Sequence, residues 1–307
     1  MIAGCLLLLL ACSGATLAAT RNDAIDDGVN LSPSAARAIR PGDLPAGIRV
    51  LRDIAYGPDP LQRFDVYAPA GANNAPVILM VHGGGWMRGD KAMRGVVENK
   101  VKRWVPRGFI LVSVDYRLVP AVDPLEEAQD VARVLAKAQH DAATWGGDAH
   151  KFILMGHSAG AHLVALLDAS PARLRDAGAV APLGSVLLDS AALDVPRIMD
   201  APHLSLYDRA FGRDAALWQA ASPLAQLRQK TPPILAVCSS RRHISCTQAQ
   251  HFVAKAVSFG SRARMLAENR THGEINAQLG VPGAYTDAVE EFLGSLDPAV
   301  AARLRAR

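Results

Sequence analysis

Residues 152–167 read FILMGHSAGAHLVALL, and they join two apolar segments through the pentapeptide Gly156-His157-Ser158-Ala159-Gly160. The first segment has the length of a buried strand, and the second has a helical composition. A G-x-S-x-G sequence between a strand and a helix is typical of a nucleophile elbow, a sharp turn that exposes the serine hydroxyl. Its glycines relieve crowding in the turn. The sequence therefore predicts Ser158 as a nucleophile at the top of a sheet.

A glycine-rich loop precedes this elbow in the chain. His82-Gly83-Gly84-Gly85-Trp86 directly follows the apolar run at 77–81. Three consecutive glycines leave their backbone N–H groups uncovered by side chains. Such N–H groups form an oxyanion hole, which stabilises the negative oxygen of a tetrahedral intermediate. The two motifs together predict acyl transfer through a serine nucleophile.

With these motifs the chain resembles the α/β-hydrolase superfamily, and within it the HGGG-type carboxylesterases. That group includes hormone-sensitive-lipase-like and feruloyl- or acetylxylan-esterase-like enzymes. Asp115-Tyr116-Arg117-Leu118 and Trp145-Gly146-Gly147-Asp148 match two further blocks of the family. The resemblance covers residues 48–297 and implies a mainly architectural role for the block that begins at Asp115.

The resemblance also implies roles for individual residues. The N–H groups of Gly84, Gly85 and Ala159 are expected to form the oxyanion hole. A serine hydroxyl becomes a good nucleophile only when a base removes its proton, and in this fold the chain order is nucleophile, acid, histidine. His272 lies in a polar loop after a short predicted strand and fits the last place better than the other late histidines.

The acid is where the sequence departs from the family pattern. The family usually places it in the loop after the seventh strand, but residues 238–246 read CSSRRHISC and contain no carboxylate. Asp189, at the end of the sixth predicted strand, and Asp194, five residues further, are the two substitutes. A third possibility is that a carbonyl, hydroxyl or water orients His272. Asp189 is the favoured acid, with a strand-end turn cap as its non-catalytic interpretation.

The first residues predict export. Residues 1–11 are strongly apolar but too short to span a bilayer, and they are typical of a signal peptide. Leu9-Leu10-Ala11-Cys12 resembles a bacterial lipobox, which predicts cleavage before a lipid-modified Cys12 and a tether over residues 12–47. The protein would then be lipid-anchored in the bacterial cell envelope, facing the periplasm or the exterior. Secretion with cleavage near Ala18 or Ala19 is the alternative.

The cysteines agree with an oxidising compartment. Cys5 is lost with the predicted signal and Cys12 is the lipid site, which leaves Cys238 and Cys246. Two remaining thiols close in sequence in an exported protein predict a disulfide. We expect no metal site, because there is no second cysteine pair and the histidines do not cluster.

The pattern of strands and helices predicts one α/β-hydrolase domain over residues 48–297. Its mostly parallel eight-stranded sheet has helices on both faces, and an antiparallel hairpin opens it at 48–56 and 62–67. Short amphipathic pieces at about 194–230 predict a small helical cap over the active site. Residues 298–307 are expected to form a solvated basic tail.

The net charge of +4 comes from interspersed charges of both signs, a pattern that does not predict nucleic-acid binding. The predicted reaction is hydrolysis of short-chain carboxylic esters through an acyl-enzyme, without a cofactor. Polysaccharide deacetylation and aryl formamide hydrolysis fit the same residues. The alternative of another class is a lipid-anchored binding or scaffold protein on a decayed hydrolase fold. The sequence gives no indication of the oligomeric state.

Overall fold

An eight-stranded sheet forms the centre of the computed structural model, which describes residues 34–305. The strand order is β1-β2-β4-β3-β5-β6-β7-β8, where the strands are β1 (Ile48–Ala55), β2 (Arg63–Pro69), β3 (Ala75–Val81), β4 (Ile110–Val114), β5 (Gly147–His157), β6 (Gly184–Leu188), β7 (Ile234–Ser239) and β8 (Ala263–Glu268). The pairs β1–β2 and β2–β4 are antiparallel, and all other neighbours are parallel. The predicted α/β-hydrolase sheet and its opening hairpin are confirmed.

Helices connect the strands and cover both faces of the sheet. They are α1 (Arg94–Trp104), α2 (Pro124–Asp141), α3 (Ala159–Ala169), α4 (Pro171–Asp176), α5 (Val195–Met199), α6 (Ser205–Phe211), α7 (Ala215–Ala220), α8 (Pro223–Gln226), α9 (His243–Ser258), α10 (His272–Ala277), α11 (Ala284–Gly294) and α12 (Pro298–Arg305). Short 3-10 helices lie at Pro41–Asp43, Val105–Arg107 and Ala142–Trp145. Within residues 34–305, no helix has the length and apolar character needed to cross a membrane.

The core consists of two apolar layers, one on each face of the sheet. Successive strand residues point to opposite faces, so Leu79 of β3 belongs to the layer that contains α2, α3 and the predicted cap. Its neighbour Met80 belongs to the layer that contains α1, α11 and α12. Strands β3 to β6 are almost entirely buried along their apolar runs. This explains why these strands appear in the sequence as continuous apolar runs rather than alternating ones.

The parallel strands end at the same edge of the sheet, and the motif residues follow these ends. The glycine loop comes after β3, Ser158 after β5, Asp189 after β6 and His272 after β8. In open α/β sheets, ligands bind outside the carboxyl ends of the strands. The topology therefore gathers residues that are up to about 190 positions apart in the chain.

Both ends of the described chain differ from expectation. Residues 298–305, expected to be solvated tail, form α12: Val300 is buried, and Arg303 donates to the backbone oxygens of Gly108 and Asn73 at 2.9 and 3.0 Å. Part of the expected tether also packs on the domain, since Ile39 is buried and its N–H donates to Ala92 at 2.8 Å. Apolar side chains spaced among the charges explain both corrections. Cys12 and the predicted signal lie outside the described residues.

Candidate active site

Ser158 occupies a strained turn between β5 and α3. Its backbone dihedrals are φ 56° and ψ −118°, a region that non-glycine residues rarely adopt. A side chain on Gly156 would overlap the backbone oxygen of Gly160, so the turn closes only with glycine at this position. Strain of this kind persists where surrounding structure enforces it, and it is common at functional sites. The predicted elbow geometry is present.

The glycine loop presents free backbone donors beside this serine. Gly84 and Gly85 have φ values of 131° and 61°, and a Cβ on Gly84 would overlap the backbone oxygen of Arg88. Within residues 34–305, the N–H groups of Gly84, Gly85 and Ala159 donate to no acceptor. Gly84, Gly85 and Ser158 line one cavity, and Ala159 lines a small adjoining one with Ser158 and Gly85. These three donors are therefore available to an oxygen near Ser158.

The Asp115 block holds the glycine loop in place. Asp115 accepts from the Lys91 N–H at 2.6 Å and lies 3.3 Å from His82 Nε2. Tyr116 donates from its hydroxyl to the His82 carbonyl at 2.9 Å and stacks on the His82 ring. Burial opposes the charge on Asp115, but His82 and Lys91 keep its pKa below the usual value. The block acts through the loop, in agreement with the architectural role that the resemblance implies.

Asp189 and His272 form a buried hydrogen-bonded pair. His272 Nδ1 lies 2.6 Å from Asp189 Oδ2, although 83 positions separate the two residues in the chain. His272 begins α10 rather than lying in a loop, and Thr271 caps this helix together with Glu274. Asp194 is instead the N-cap residue of α5. Of the two carboxylates considered from the sequence, the structure brings Asp189 to the histidine.

The carboxylate of Asp189 is fully surrounded by donors. The Ser239 N–H donates to Oδ1 at 2.7 Å, the Ser245 hydroxyl donates to the same oxygen, and Arg242 Nη1 lies 2.7 Å from Oδ2. Burial alone would raise the pKa of Asp189, but the hydrogen bond from His272 and the charges of His272 and Arg242 hold it well below the usual range. Asp189 is therefore ionised and fixed in orientation.

Arg242 is the functional neighbour that sequence reasoning missed. Its side chain is only 3% exposed, and Nη1 lies 2.8 Å from His272 Nδ1 as well as 2.7 Å from Asp189 Oδ2. It lies after β7, in the loop where the family usually has its acid. The sequence feature that could have indicated this role is a charged residue in the loop that normally supplies the catalytic acid.

The two histidines that flank Ser158 have different surroundings. His157 lines the cavity, and its Nε2 lies 3.0 Å from the backbone oxygen of His272. Burial, with the nearby charge of His272, lowers the pKa of His157 well below its usual value, so the ring is neutral and donates to that oxygen. His162 is buried between Trp86 and Ala221, and burial lowers its pKa to about 4. His157 thus supports His272, whereas His162 is a packing residue.

The predicted disulfide is present between Cys238 and Cys246. The cysteines do not flank a simple loop: Cys238 lies in β7, and Cys246 lies in the first turn of α9. The bridge closes the segment that contains Ser239, Arg242 and Ser245, which all contact Asp189. It therefore constrains the surroundings of the acid.

A cavity of about 470 Å³ opens over these residues. Its lining includes Ser158, His157, His272 and the glycine loop, together with Leu204, Ser205, Leu206 and Arg209. Residues 204–209 belong to the segment predicted as a cap. Tyr207 and Phe211 of α6 pack against Trp86 of the glycine-loop motif, with ring centroids 5.9 and 4.9 Å away. Within residues 34–305, no group of three or more ligand-type side chains is arranged to hold a metal ion.

Comparison with known proteins supports the same family. The BD-FAE family model matches residues 64–178. The chain is 29% identical over 223 residues to esterase LipC of Mycobacterium tuberculosis, which covers 66% of this chain and 54% of LipC. The crystal structure of esterase B from Lactobacillus rhamnosis matches with a TM-score of 0.68 at 20% identity, over 94% of this chain and 93% of that one. The chain has the α/β-hydrolase fold.

The chain also resembles the isoprenylcysteine alpha-carbonyl methylesterase of Arabidopsis thaliana, with 25% identity over 267 residues. That match covers 80% of this chain and 61% of the plant protein. The chain therefore spans 54% and 61% of the length of these two curated relatives. The matches confirm the resemblance to carboxylesterases that the motifs indicate.

Proposed function

We propose that the protein hydrolyses carboxylic esters through an acyl-enzyme on Ser158. The pair formed by His272 Nδ1 and Asp189 Oδ2 at 2.6 Å, beside a cavity that Ser158 shares, carries this proposal. Such an acid fixes the tautomer of the histidine and stabilises the imidazolium. The histidine can then act as the base that a serine nucleophile needs. The esterases among the sequence relatives give the proposal independent support.

Ser158, His272 and the backbone donors have distinct tasks in the proposed reaction. His272 Nε2 takes the hydroxyl proton of Ser158 as the serine oxygen bonds to the ester carbonyl carbon. The carbonyl oxygen becomes negative and is held by the N–H groups of Gly84, Gly85 and Ala159. His272 then gives the proton to the departing alkoxide. A water molecule repeats the sequence on the acyl-enzyme and releases the acid and free serine.

The cavity supports small substrates. Its volume of about 470 Å³ is in the range of ordinary small-molecule sites, and residues 204–206 and 209 of the cap segment contribute to its lining. We therefore propose short-chain esters as the substrate class. Deacetylation of a polysaccharide and hydrolysis of an aryl formamide use the same residues and are the alternative reactions.

Para-nitrophenyl butyrate tests the proposal, with the wild type and the Ser158→Ala variant compared at equal concentration. We expect the variant to lose almost all activity above the uncatalysed rate. Mass spectrometry after reaction with an alkyl phosphonate should place the adduct on Ser158 in the wild type alone. Equal ester hydrolysis by the two proteins would contradict the proposal and favour a binding or scaffold protein.

We further propose that the protein is lipid-anchored through Cys12, which the lipobox-like residues before it support. Metabolic labelling with a fatty-acid probe in a bacterial host tests this, with Cys12→Ser as the control. Label in the wild type and none in the variant is the expected result. Unlabelled wild type with an N-terminus near Ala19 would favour the alternative of secretion.

A further inference from the structure

The cavity above Ser158 contains two positive charges and no negative one. Arg88, in the loop after the glycines, and Arg209, in α6, both line it, and no aspartate or glutamate does. Both side chains are exposed to solvent. A lining with this charge balance attracts anions and repels cations.

The two arginines lie in different elements that line the cavity, Arg88 in the loop after the glycines and Arg209 in α6. The backbone oxygen of Arg88 packs directly against Gly84, where it leaves no room for a Cβ. Arg209 lies three positions after Leu206 in α6, so the two side chains share a helix face. Leu206 and Met87 come within 4.0 and 3.8 Å of a Cβ placed on Gly85. Arg88 is therefore in contact with the glycine loop, and Arg209 lies three positions from a residue that contacts it.

Neither guanidinium group has a partner within residues 34–305. Arg88 and Arg209 make no side-chain hydrogen bond and no ion pair with any described residue. Other arginines of the chain do: Arg117 pairs with Asp130 at 2.7 Å, and Arg103 pairs with Glu290 at 2.7 Å. A guanidinium group has five donors suited to carboxylate or phosphate oxygens. Two arginines in the lining of a small cavity are complementary to an anionic group on its occupant.

We propose that the preferred substrates are esters that carry a negatively charged group, such as a carboxylate, on the acyl or the alcohol part. This inference rests on the proposed ester hydrolysis at Ser158. The charged end of the substrate lies between Arg88 and Arg209, while the ester carbonyl lies at the glycine loop. The arginines bind the substrate and take no part in the proton transfers.

Matched esters test the preference. The acyl pair is the para-nitrophenyl monoester of glutaric acid against para-nitrophenyl pentanoate, and the alcohol pair is para-carboxyphenyl butyrate against para-carbamoylphenyl butyrate. In at least one pair, we expect kcat/KM to be about tenfold higher for the anion at low ionic strength, which corresponds to about 1.4 kcal/mol. Added salt should reduce the ratio, because it screens exposed charges. Rates with Ser158→Ala are subtracted to remove uncatalysed hydrolysis.

Variants of the two arginines test whether these residues cause the preference for anionic esters. In the double variant Arg88→Gln/Arg209→Gln, the ratio of anionic to neutral kcat/KM should fall toward one. Arg213→Gln is the matched control, because Arg213 is an exposed arginine of the same cap segment that does not line the cavity. It should leave the ratio at its wild-type value.

The outcomes separate the two proposals. Wild type that hydrolyses neutral esters through Ser158 but shows no anionic preference in either pair overturns this inference and leaves the proposed function intact. The inference is also overturned if Arg213→Gln lowers the ratio as much as the double variant does. Wild type that exceeds Ser158→Ala on none of the four esters removes the proposed function and this inference together.

Discussion

Arg242 and Asp189 form a buried ion pair directly behind the candidate catalytic histidine. Arg242 Nη1 lies 2.7 Å from Asp189 Oδ2, and the same oxygen lies 2.6 Å from His272 Nδ1. The arginine and the histidine therefore share one carboxylate oxygen. An arginine carries only donors, so its 2.8 Å approach to His272 Nδ1 places two positive or donating groups side by side.

This arrangement predicts a change in pH dependence when Arg242 is replaced. Arg242→Gln removes a positive charge that, together with His272, holds the pKa of Asp189 well below its usual range. We expect the acid limb of the kcat/KM profile to move to higher pH, because the lost charge opposed protonation of the carboxylate. Arg242→Lys retains the charge and should move the limb less.

The neighbouring Arg241 provides the control for this experiment. It is exposed and binds Asn269 rather than Asp189. Arg241→Gln should leave the profile in place. Identical profiles for Arg242→Gln and Arg241→Gln, in proteins shown to be folded by circular dichroism, would contradict the role given to Arg242.

Replacement of the acid tests the Asp189–His272 pair itself. Asp189→Asn should lower kcat by about 10³–10⁴-fold, because an amide does not hold the histidine in the required tautomer. Asp194→Asn is the matched variant, since Asp194 is the other carboxylate after β6 and stands at the N-cap position of α5 without a side-chain capping hydrogen bond. It should keep kcat close to the wild-type value. Comparable losses in the two variants would show that the acid is not Asp189.

A methyl group on Gly84 should disable the oxyanion hole. Gly84→Ala brings a Cβ against the backbone oxygen of Arg88 and forces a residue with φ 131° away from its conformation. Loss of one such donor lowers kcat by about 10²–10³-fold. Gly42→Ala, at a glycine with open space around it, should not change kcat. A fully active Gly84→Ala enzyme would exclude this loop from the reaction.

The disulfide should stabilise the fold. Bridging a segment with a sequence separation of 8 contributes about 2–3 kcal/mol by the loop-entropy estimate. Urea unfolding of the double variant Cys238→Ala/Cys246→Ala should show this loss relative to the wild type. Thiol labelling of the native wild type should modify neither cysteine before reductant is added. Two reactive thiols in native protein from an oxidising compartment would contradict the bridge.

Asp168 should make stability fall as the pH rises through neutrality. Burial raises the pKa of Asp168 to about 8, although Ser185 donates to it at 2.8 Å. An unfolded aspartate loses its proton near pH 4, as a rough reference value, so between about pH 4 and 8 the folded state binds more protons. The free energy of unfolding then decreases with pH, by up to about 1.4 kcal/mol per unit.

Asp168→Asn should remove this slope. The difference in unfolding free energy between the variant and the wild type should therefore grow in favour of the variant from pH 5 to 8. Urea titrations at several pH values measure it. Asp176→Asn, at an exposed position in α4, is the control, and a pH-independent difference for Asp168→Asn would refute the interpretation.

The sequence was sufficient to predict the elements that depend on interactions between residues close together in the chain. The apolar runs of β3 to β7, the Pro124–Asp141 helix and the turn at Ser158 follow from patterns within about twenty residues. Gly84 and Ser158 were identifiable for the same reason, because each motif lies next to the strand that positions it. The apolar residues of α12 were hidden among its arginines, which is why this helix was expected to be a solvated tail.

The sequence by itself was sufficient to predict the fold, Ser158 as the candidate nucleophile, the glycine loop beside it and the two cysteines that form the disulfide. It left three possibilities for the partner of His272, because no short-range pattern relates residues 83 positions apart. Only the order of strands in the sheet brings the ends of β6, β7 and β8 side by side. That adjacency placed Asp189 against His272, and it placed Arg242 where the family usually has a carboxylate.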